Sequence, residues 1–439
     1  MLKTGPVDFI HQVQWSDLPP TAQKMTKLLV LDLLGVAASA RVTPLSRIIS
    51  DHAVKFFGGD ASSILFDGRK ASPIGAALAG GMTIDAVDGH DGWRPVKGHA
   101  GCHVLPAALA IAEAEGQMDG EAFLLAIALG YEFGLRAGVA QHGTVPDYHT
   151  SGSWGAVGCA AVGSRMLGLD RDRTREALGI AEYHGPRSQM MRGVQHPTML
   201  KDGSGWGAMC GVSAVYLAAD GFTGAPALTV EAEEAQPWWQ DLGARWLMED
   251  QYVKPYPVCR WTHGPLDCAK YLLETHSVTH DEIDRVEVAS FRNMLSLATW
   301  KPETTEQAQY SVPYPVATLI VEGEVGPEHV MGEALRNPDV LRLGETMVLL
   351  EDPELEADFP ETRKARVTFL MKDGRRLVSP IMEPFGDPER PMSENQIRQK
   401  YRNWSRPILG DDRASRIEAA LDGIEFSGLS ELFTELGAV

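Results

Sequence analysis

Apolar residues recur at helical spacing along most of the first 265 residues of the chain. This spacing predicts buried or amphipathic helices, and Gly or Pro residues separate each predicted helix from the next. Thr21 is placed to cap the first of them. The predicted helices are residues 21–40, 73–88, 104–116, 120–140, 151–167, 170–183 and 205–220.

Several of these helices are rich in Gly, Ala and Ser, as in SGSWGAVGCAAVGS (151–164) and GSGWGAMCG (203–211). Small residues allow helix backbones to approach closely. A glycine-rich nucleotide loop would follow a strand in a βαβ unit, and neither segment follows a predicted strand. The pattern therefore favours close helix packing, and no nucleotide or other cofactor is predicted.

The pattern changes after about residue 280, where alternating residues predict strands at 284–291, 364–371 and 375–381. Asp373-Gly374 predicts a tight turn between the last two. A helix is predicted at 307–322, and helices return at 393–404 and 412–422. We predict a mainly α fold: a large all-helical domain of residues 1–266 plus 393–439, with a smaller α/β lid domain of residues 267–392 inserted in it.

Length and charge narrow the class of protein. A chain of 439 residues is long enough for two domains, and its net charge of -19 argues against nucleic acid or an anionic membrane as partner. No run of about 18 apolar residues predicts a membrane span. The segment MLKTGPVDFIHQVQWSDL lacks the pattern of a secretory signal, so a cytoplasmic location is expected.

The cysteines predict no metal or redox centre. None forms a C-x-x-C pair, and their neighbours are mostly small or apolar. Buried structural thiols are the favoured interpretation. The five positions are Cys102, Cys159, Cys210, Cys259 and Cys268.

The positive charges of this acidic chain are unevenly placed. Residues 93–112, 186–201 and 252–265 contain basic side chains and neither Asp nor Glu, and residues 135–151 contain a single Asp. If these stretches converge, they form a cationic pocket for carboxylates. The alternative is that they are scattered over the surface.

The segment Asp85-Ala-Val-Asp88-Gly-His90-Asp91 precedes the first acid-free stretch. Its side chains could bind a metal or supply a general base, or they could be the exposed end of a helix. A site for a hard metal ion would require more carboxylates, so no metal is predicted.

Five blocks in a fixed order carry a resemblance to a known family. They contain DAVDGHDGWRPVKGHAG (85–101), YHTSGSWGAVG (148–158), MLKDGSGWGAMCG (199–211), YVKPYPVCRWTHG (252–264) and AQYSVPYPVATLIVEG (308–323). In this order they resemble the MmgE/PrpD family, which includes methylcitrate dehydratase, cis-aconitate decarboxylase and iminodisuccinate epimerase. The chain departs from the family pattern at Gly89-His90, at Gly92 and at Ala100.

The resemblance implies a helical domain with an α/β lid, a homodimer, and an active site between the domains that uses no metal or cofactor. Carried over block by block, the implied site residues are Asp88, Asp91, His99, His149, Lys201, Lys254 and Tyr314. His263 and Arg94 are added as predicted substrate-binding residues.

The implied chemistry is removal of a proton alpha to a carboxylate of a small polycarboxylic acid. His99 and His149 are the predicted base and acid, with Asp88 or Asp91 orienting the imidazole. Lys201 and Lys254 would hold carboxylates and stabilise an enolate, and Tyr314 would complete the site on lid closure. Dehydration of the methylcitrate type is the predicted outcome. Epimerisation, decarboxylation and carboxylate binding without catalysis are the alternatives.

Overall fold

Two large clusters of buried apolar side chains organise the molecule. The structure, a computed structural model, describes residues 5–438 and is mainly α-helical, as the sequence predicts. The first cluster draws on residues 7–253 and 397–436. The second draws on residues 258–371 and includes Met190 and Val194 from the preceding part of the chain. We call residues 7–254 together with 397–436 the first unit, and residues 258–378 the second unit.

Eleven helices and a short hairpin of strands β1 (Ser62–Ser63) and β2 (Lys70–Ala71) precede residue 253. The helices are α1 (Pro6–Gln12), α2 (Pro20–Ala40), α3 (Pro44–Phe56), α4 (Pro73–Asp85), α5 (Gly101–Ala114), α6 (Gly120–Thr144), α7 (Gly152–Met166), α8 (Arg171–His184), α9 (Met190–Gln195), α10 (Ser204–Ala219) and α11 (Leu228–Glu231).

All seven helices predicted in this region are present, with ends that differ by a few residues. The predicted cap at Thr21 is wrong, because α2 begins at Pro20, whose missing N–H is tolerated in the first turn. Helix α4 ends at Asp85 instead of residue 88, and Asp88 lies in the left-handed region at φ 48°. Residues 86–88, predicted as the end of the helix, therefore form a turn instead.

The predicted role of the small residues in helix packing is confirmed. A Cβ on Gly158 of α7 would lie 2.5 Å from the carbonyl oxygen of Gly130 on α6. A Cβ on Gly81 of α4 would lie 2.7 Å from the Cα of Gly205 on α10. Glycine thus permits backbone contact at both helix pairs.

Helix α6 is long and apolar enough to cross a bilayer, yet 89% of its apolar segment is buried. It packs against α7 and α5 and against the segment around residues 233–250. Burial among other helices accounts for its apolar composition.

A four-stranded sheet forms the centre of the second unit, in the order β4-β3-β5-β6. Strand β3 pairs in parallel with β4 and antiparallel with β5, and β5 and β6 form the predicted hairpin. The elements are α12 (Arg260–His276), β3 (Ile283–Ser290), α13 (Thr305–Gln309), α14 (Pro313–Glu322), α15 (Pro338–Glu345), β4 (Val348–Glu351), α16 (Pro353–Ala357), β5 (Ala365–Met371) and β6 (Arg376–Val378).

Two details of this unit differ from the prediction. The helix predicted at 307–322 is divided into α13 and α14, because Pro313 has no N–H and begins a new helix. The predicted boundary at 266/267 falls inside α12, whose buried apolar residues belong to the second cluster.

The chain ends in helices that pack on the first unit: α17 (Glu394–Leu409), α18 (Asp411–Asp422), α19 (Ile424–Ser427) and α20 (Ser430–Gly437). Lys400 of α17 forms a buried ion pair with Asp32 of α2, with 2.7 Å between Nζ and Oδ1. The same ammonium group donates to the carbonyl of Gly89, 2.7 Å away. Helix α17 therefore supports the loop that follows α4. Closure of the second unit as a lid stays a prediction.

An apolar groove beside α10 is lined by Trp206, Leu217, Ile180 and Phe57, among others. Trp206 and Leu217 are 40% and 37% exposed. The groove offers one surface for self-association, and the homodimer stays a prediction.

Replacing Gly158 should test the importance of close helix packing. Gly158→Ala is expected to lower the free energy of unfolding by about 1–3 kcal/mol, because the new methyl group separates α6 from α7. Gly58→Ala is the control, since the nearest atom to its Cβ lies 3.9 Å away. Urea unfolding measures both variants. Equal stability of the two variants would contradict the packing account.

Candidate active site

A small cavity of about 40 Å³ lies where the two units meet. The first unit contributes Asp88, Lys97, His99, Tyr148, Met190, Val194, Asp202, Tyr252 and Lys254. The second contributes Cys259, Arg260, Trp261, Tyr310 and Arg363. The cavity therefore contains three of the predicted site residues, and it brings together segments that are far apart in the sequence.

Lys254 is fully buried and holds the loop after α4. Its ammonium group pairs with the carboxylate of Asp88 and also donates to the Asp88 carbonyl at 3.0 Å. These contacts compensate the strained left-handed backbone of Asp88. Lys254 lies in an acid-free stretch of the sequence, which predicts surroundings poor in carboxylates. This prediction is wrong, because the fold brings Asp88 to Lys254 from another block.

His99 is oriented by a backbone carbonyl. Its Nδ1 lies 2.6 Å from the carbonyl oxygen of Asp91. A carbonyl only accepts, so Nδ1 carries the proton and Nε2 retains the lone pair. The ring of His90 packs edge-on against His99, with 4.3 Å between centroids. His99 thus presents Nε2 as its basic nitrogen.

The backbone of His99 is tied to a buried carboxyl group. Its N–H donates to Ser151 Oγ at 3.0 Å. Ser151 in turn donates to Asp202 through its hydroxyl and through its N–H, the latter at 2.9 Å. Asp202 lines the cavity and is 3% exposed. The position of His99 is therefore coupled to Asp202 through one serine.

Asp85 closes this network into a ring. Its carboxylate accepts from the N–H of Asp202 at 3.3 Å and from Ser204 Oγ at 2.6 Å. Its other oxygen lies 3.0 Å from Nε2 of His90, whose Nδ1 lies 3.3 Å from the Asp91 carbonyl that orients His99. We call this cycle, from His99 through Ser151, Asp202, Asp85 and His90 to Asp91, the histidine ring network.

Burial and charge give the groups of this network different protonation states. Burial lowers the pKa of His99 well below its usual value, and the charges of His90 and Lys254 lower it further. Burial raises the pKa of Asp202 to about 7, and the nearby Asp85 carboxylate raises it too. Burial opposes ionisation of Asp85 as well, but the hydrogen bonds from His90 and Ser204 and the charges of His90 and Lys201 together outweigh burial and lower the pKa of Asp85. Near neutral pH the cavity therefore contains a neutral imidazole and a carboxyl group that is partly protonated.

Lys201 is not among the described residues that line the cavity, but it contacts Tyr310, which does line it. Its Nζ donates to Gln309 Oε1 and is 5.1 Å from the centroid of the Tyr310 ring. Gln309 also donates to the carbonyl of Ala86 at 2.9 Å. Lys201 thus connects the first unit to α13 and the residue that follows it.

His149 and Asp91 have different surroundings from those predicted. His149 stacks on His142, with 4.1 Å between centroids, and its neighbour Tyr148 lines the cavity in its place. The carboxylate of Asp91 accepts from Tyr131 and from the N–H of Gly101. Asp91 therefore orients His99 through its backbone carbonyl and not through its carboxylate.

Tyr314, His263 and Arg94 lie outside the set of described residues that line the cavity. The Tyr314 hydroxyl is 2.8 Å from the carbonyl of His329, within the second unit. His263 contacts Arg260 and the Val258 carbonyl. The guanidinium of Arg94 pairs with Glu389 and Asp387. The roles predicted for these three residues stay predictions.

Asp88, His90 and His99 could offer ligand atoms within 4.8 Å of one another to a metal ion. The Lys254 ammonium already pairs with the Asp88 carboxylate. A divalent ion would have to displace this cation or sit beside it, so the donor set does not suit a metal. Independence from metal stays a prediction.

Several cavity residues were not predicted from the sequence. Tyr310 lies in the same block as Tyr314, where the sequence offers two tyrosines and no means of choosing between them. Asp202 follows Lys201 directly, so proximity to a predicted residue was an available signal. Arg363 lies in the charged segment ETRKAR, which is typical of a solvated loop. Only the fold shows that its side chain is buried.

Asp202→Asn should change the pH dependence of stability. The carboxyl group ionises near pH 4 in an unfolded chain and at about 7 in the folded protein, so folding becomes less favourable as pH rises between these values. The variant lacks this penalty. Its stability relative to the unsubstituted protein should therefore increase by up to about 1.4 kcal/mol per pH unit in that window and level off above it.

Urea unfolding at several pH values between about 4 and 8 measures this difference. Asp60→Asn, at an exposed carboxylate, is the control. A stability difference for Asp202→Asn that does not vary with pH would show that its carboxyl group is not perturbed.

Comparisons with known proteins agree with this architecture. The MmgE/PrpD N-terminal domain matches residues 7–237, and the MmgE/PrpD C-terminal domain matches residues 256–425. A cis-aconitate decarboxylase of Aspergillus terreus is 25% identical over 93% of this chain and 90% of its own length. The cis-aconitate decarboxylase of Mus musculus is 24% identical over 97% and 91%, and a cis-aconitate decarboxylase-like protein of Aspergillus oryzae is 24% identical over 97% and 95%. Because the two domain matches together span most of the sequence, the chain belongs to the MmgE/PrpD family.

Proposed function

We propose that the protein is a cofactor-independent carboxy-lyase that releases CO2 from a small unsaturated tricarboxylic acid of the cis-aconitate type. The observation that carries the proposal is the presence in one cavity of a neutral imidazole, a partly protonated carboxyl group and several cations. The decarboxylase relatives favour loss of CO2 over the dehydration predicted from the sequence.

The reaction requires one proton for each CO2 released. The bond from carbon to the departing carboxylate breaks, and its electron pair spreads over the allylic carbons and a remaining carboxylate. Cations in the cavity stabilise this charge, where a single well-placed donor contributes about 3 kcal/mol. A proton then adds to the far carbon of the allylic system.

We assign proton delivery to His99 and Asp202. Asp202 stores the proton near neutral pH, because burial raises its pKa to about 7. His99 and Asp202 line the same cavity, so we propose that the proton passes from Asp202 through cavity water to Nε2 of His99 and from there to carbon. The low pKa of His99 makes its protonated form a strong donor. Asp202 regains a proton from solvent. In a dehydratase or epimerase the same Nε2 would instead remove a proton from carbon.

Product analysis by NMR in heavy water tests the reaction class. The purified protein is incubated separately with cis-aconitate, methylcitrate, citrate and iminodisuccinate. The proposal predicts CO2 from cis-aconitate and one deuteron in the product, at a rate that a chelator leaves unchanged. Loss of water from methylcitrate would establish the hydro-lyase instead, deuterium exchange alone would indicate an epimerase, and binding without turnover would indicate a carboxylate-binding protein.

His99→Gln should lower kcat by about 10²–10⁴-fold, because the substituted side chain can no longer transfer a proton. The thermal unfolding midpoint should change little, since glutamine can still donate to the Asp91 carbonyl. His184→Gln, at an exposed position of α8, is the matched control. A His99→Gln protein with normal kcat would remove His99 from the mechanism.

A further inference from the structure

The cations that line the cavity differ in whether the protein already neutralises them. Lys254 pairs with Asp88, and Arg260 lies 2.9 Å from Asp387. Lys97 is partly exposed, with its ammonium 5.7 Å from the centroid of the Tyr148 ring. Arg363 is 6% exposed, and its side chain makes no hydrogen bond or ion pair with any residue from 5 to 438.

An unpaired guanidinium in such a place is costly. Arginine stays protonated in proteins, so Arg363 cannot avoid the cost by losing its charge. Its charge acts on the groups around the cavity and opposes the rise in pKa that burial causes at Tyr148 and Tyr252. The described residues therefore supply no hydrogen-bonded anion for this guanidinium.

The backbone around Arg363 is fixed rather than loose. A Cβ on Gly264 of α12 would lie 3.1 Å from the Arg363 carbonyl oxygen, so glycine permits this close approach. The carbonyl of Lys364 accepts from Ser290 Oγ at 2.7 Å, and the N–H of Ala365 donates to Met382 at 3.0 Å. Strand β5 begins at Ala365. The guanidinium thus lines the cavity from just before the N-terminal end of β5, an interior strand of the sheet.

We propose that Arg363, from the second unit, is the anchor for a substrate carboxylate that does not react, in the cavity that His99 also lines. Its planar fork matches a carboxylate with two parallel hydrogen bonds. Lys254 and Arg260 are less suited to this role because Asp88 and Asp387 already neutralise them. This inference rests on the proposed function, since it deepens the account of how the polycarboxylate is held.

The anchor also explains how the cavity selects its substrate. A monocarboxylic acid could satisfy either the reacting position or Arg363, but not both. An acid with a second carboxylate at the right separation satisfies both and neutralises the buried guanidinium. Arg363 is therefore expected to determine the preference for polycarboxylates.

Calorimetric titration with tricarballylate, a saturated tricarboxylate, tests the anchor without depending on turnover. Arg363→Gln should weaken binding by roughly 10- to 100-fold, as expected for the loss of charged hydrogen bonds. Arg363→Lys should bind with intermediate affinity because it retains the charge but not the fork. Arg366→Gln is the matched control, three residues further along the chain but paired with Asp352 at the surface.

Thermal unfolding without ligand separates binding from a structural role. Arg363→Gln should unfold at the same temperature as the unsubstituted protein or higher, because it removes an uncompensated buried charge. Unchanged tricarballylate affinity in Arg363→Gln, or a large fall in its unfolding temperature, would overturn the proposal. If tricarballylate binds through Arg363 but none of the four acids reacts, the proposed function fails while the anchor stands.

Discussion

The histidine ring network is the constraint on which the candidate site depends. At its centre is Asp85, a buried carboxylate whose charge must be compensated within the protein. Hydrogen bonds from Ser204 and Asp202 and the contact with His90 supply this compensation. Burial raises the pKa of Asp202 to about 7, and the Asp85 charge adds to this rise because two ionised carboxylates so close together repel one another. Burial and one neighbouring anion together favour a proton on Asp202.

The helix packing explains how this network is assembled. Asp85 is the last residue of α4, and Ser204 is the first of α10. The two helices touch at Gly81 and Gly205, where any side chain on either glycine would force the backbones apart. The small residues that give the helical unit its composition therefore also bring the end of one helix to the start of another. The geometry of the candidate site and the packing of the core share the same cause.

Much of the fold was predictable because hydrophobic spacing and turn residues are local signals. Seven of the eleven helices before residue 253 and the hairpin at Asp373-Gly374 followed from these signals. The site was predictable in part through its sequence blocks, which led to Asp88, His99 and Lys254. Tyr314, His263 and Arg94 lie outside the described cavity lining. Arg94 pairs with Glu389, a contact that only the tertiary structure shows, whereas Tyr314 and His263 contact carbonyl groups nearby in the sequence. Arg363 was missed for the converse reason, since a basic segment gives no sign of burial.

The pH dependence of turnover tests most directly whether Asp202 stores the proton that His99 delivers. In this account kcat for decarboxylation of cis-aconitate is constant below about pH 7 and falls toward tenfold per unit above it, as Asp202 ionises. Asp202→Asn should be slow at all pH values and lack this decline. A rate for the unsubstituted protein that stays constant or rises well above pH 7 would contradict the account.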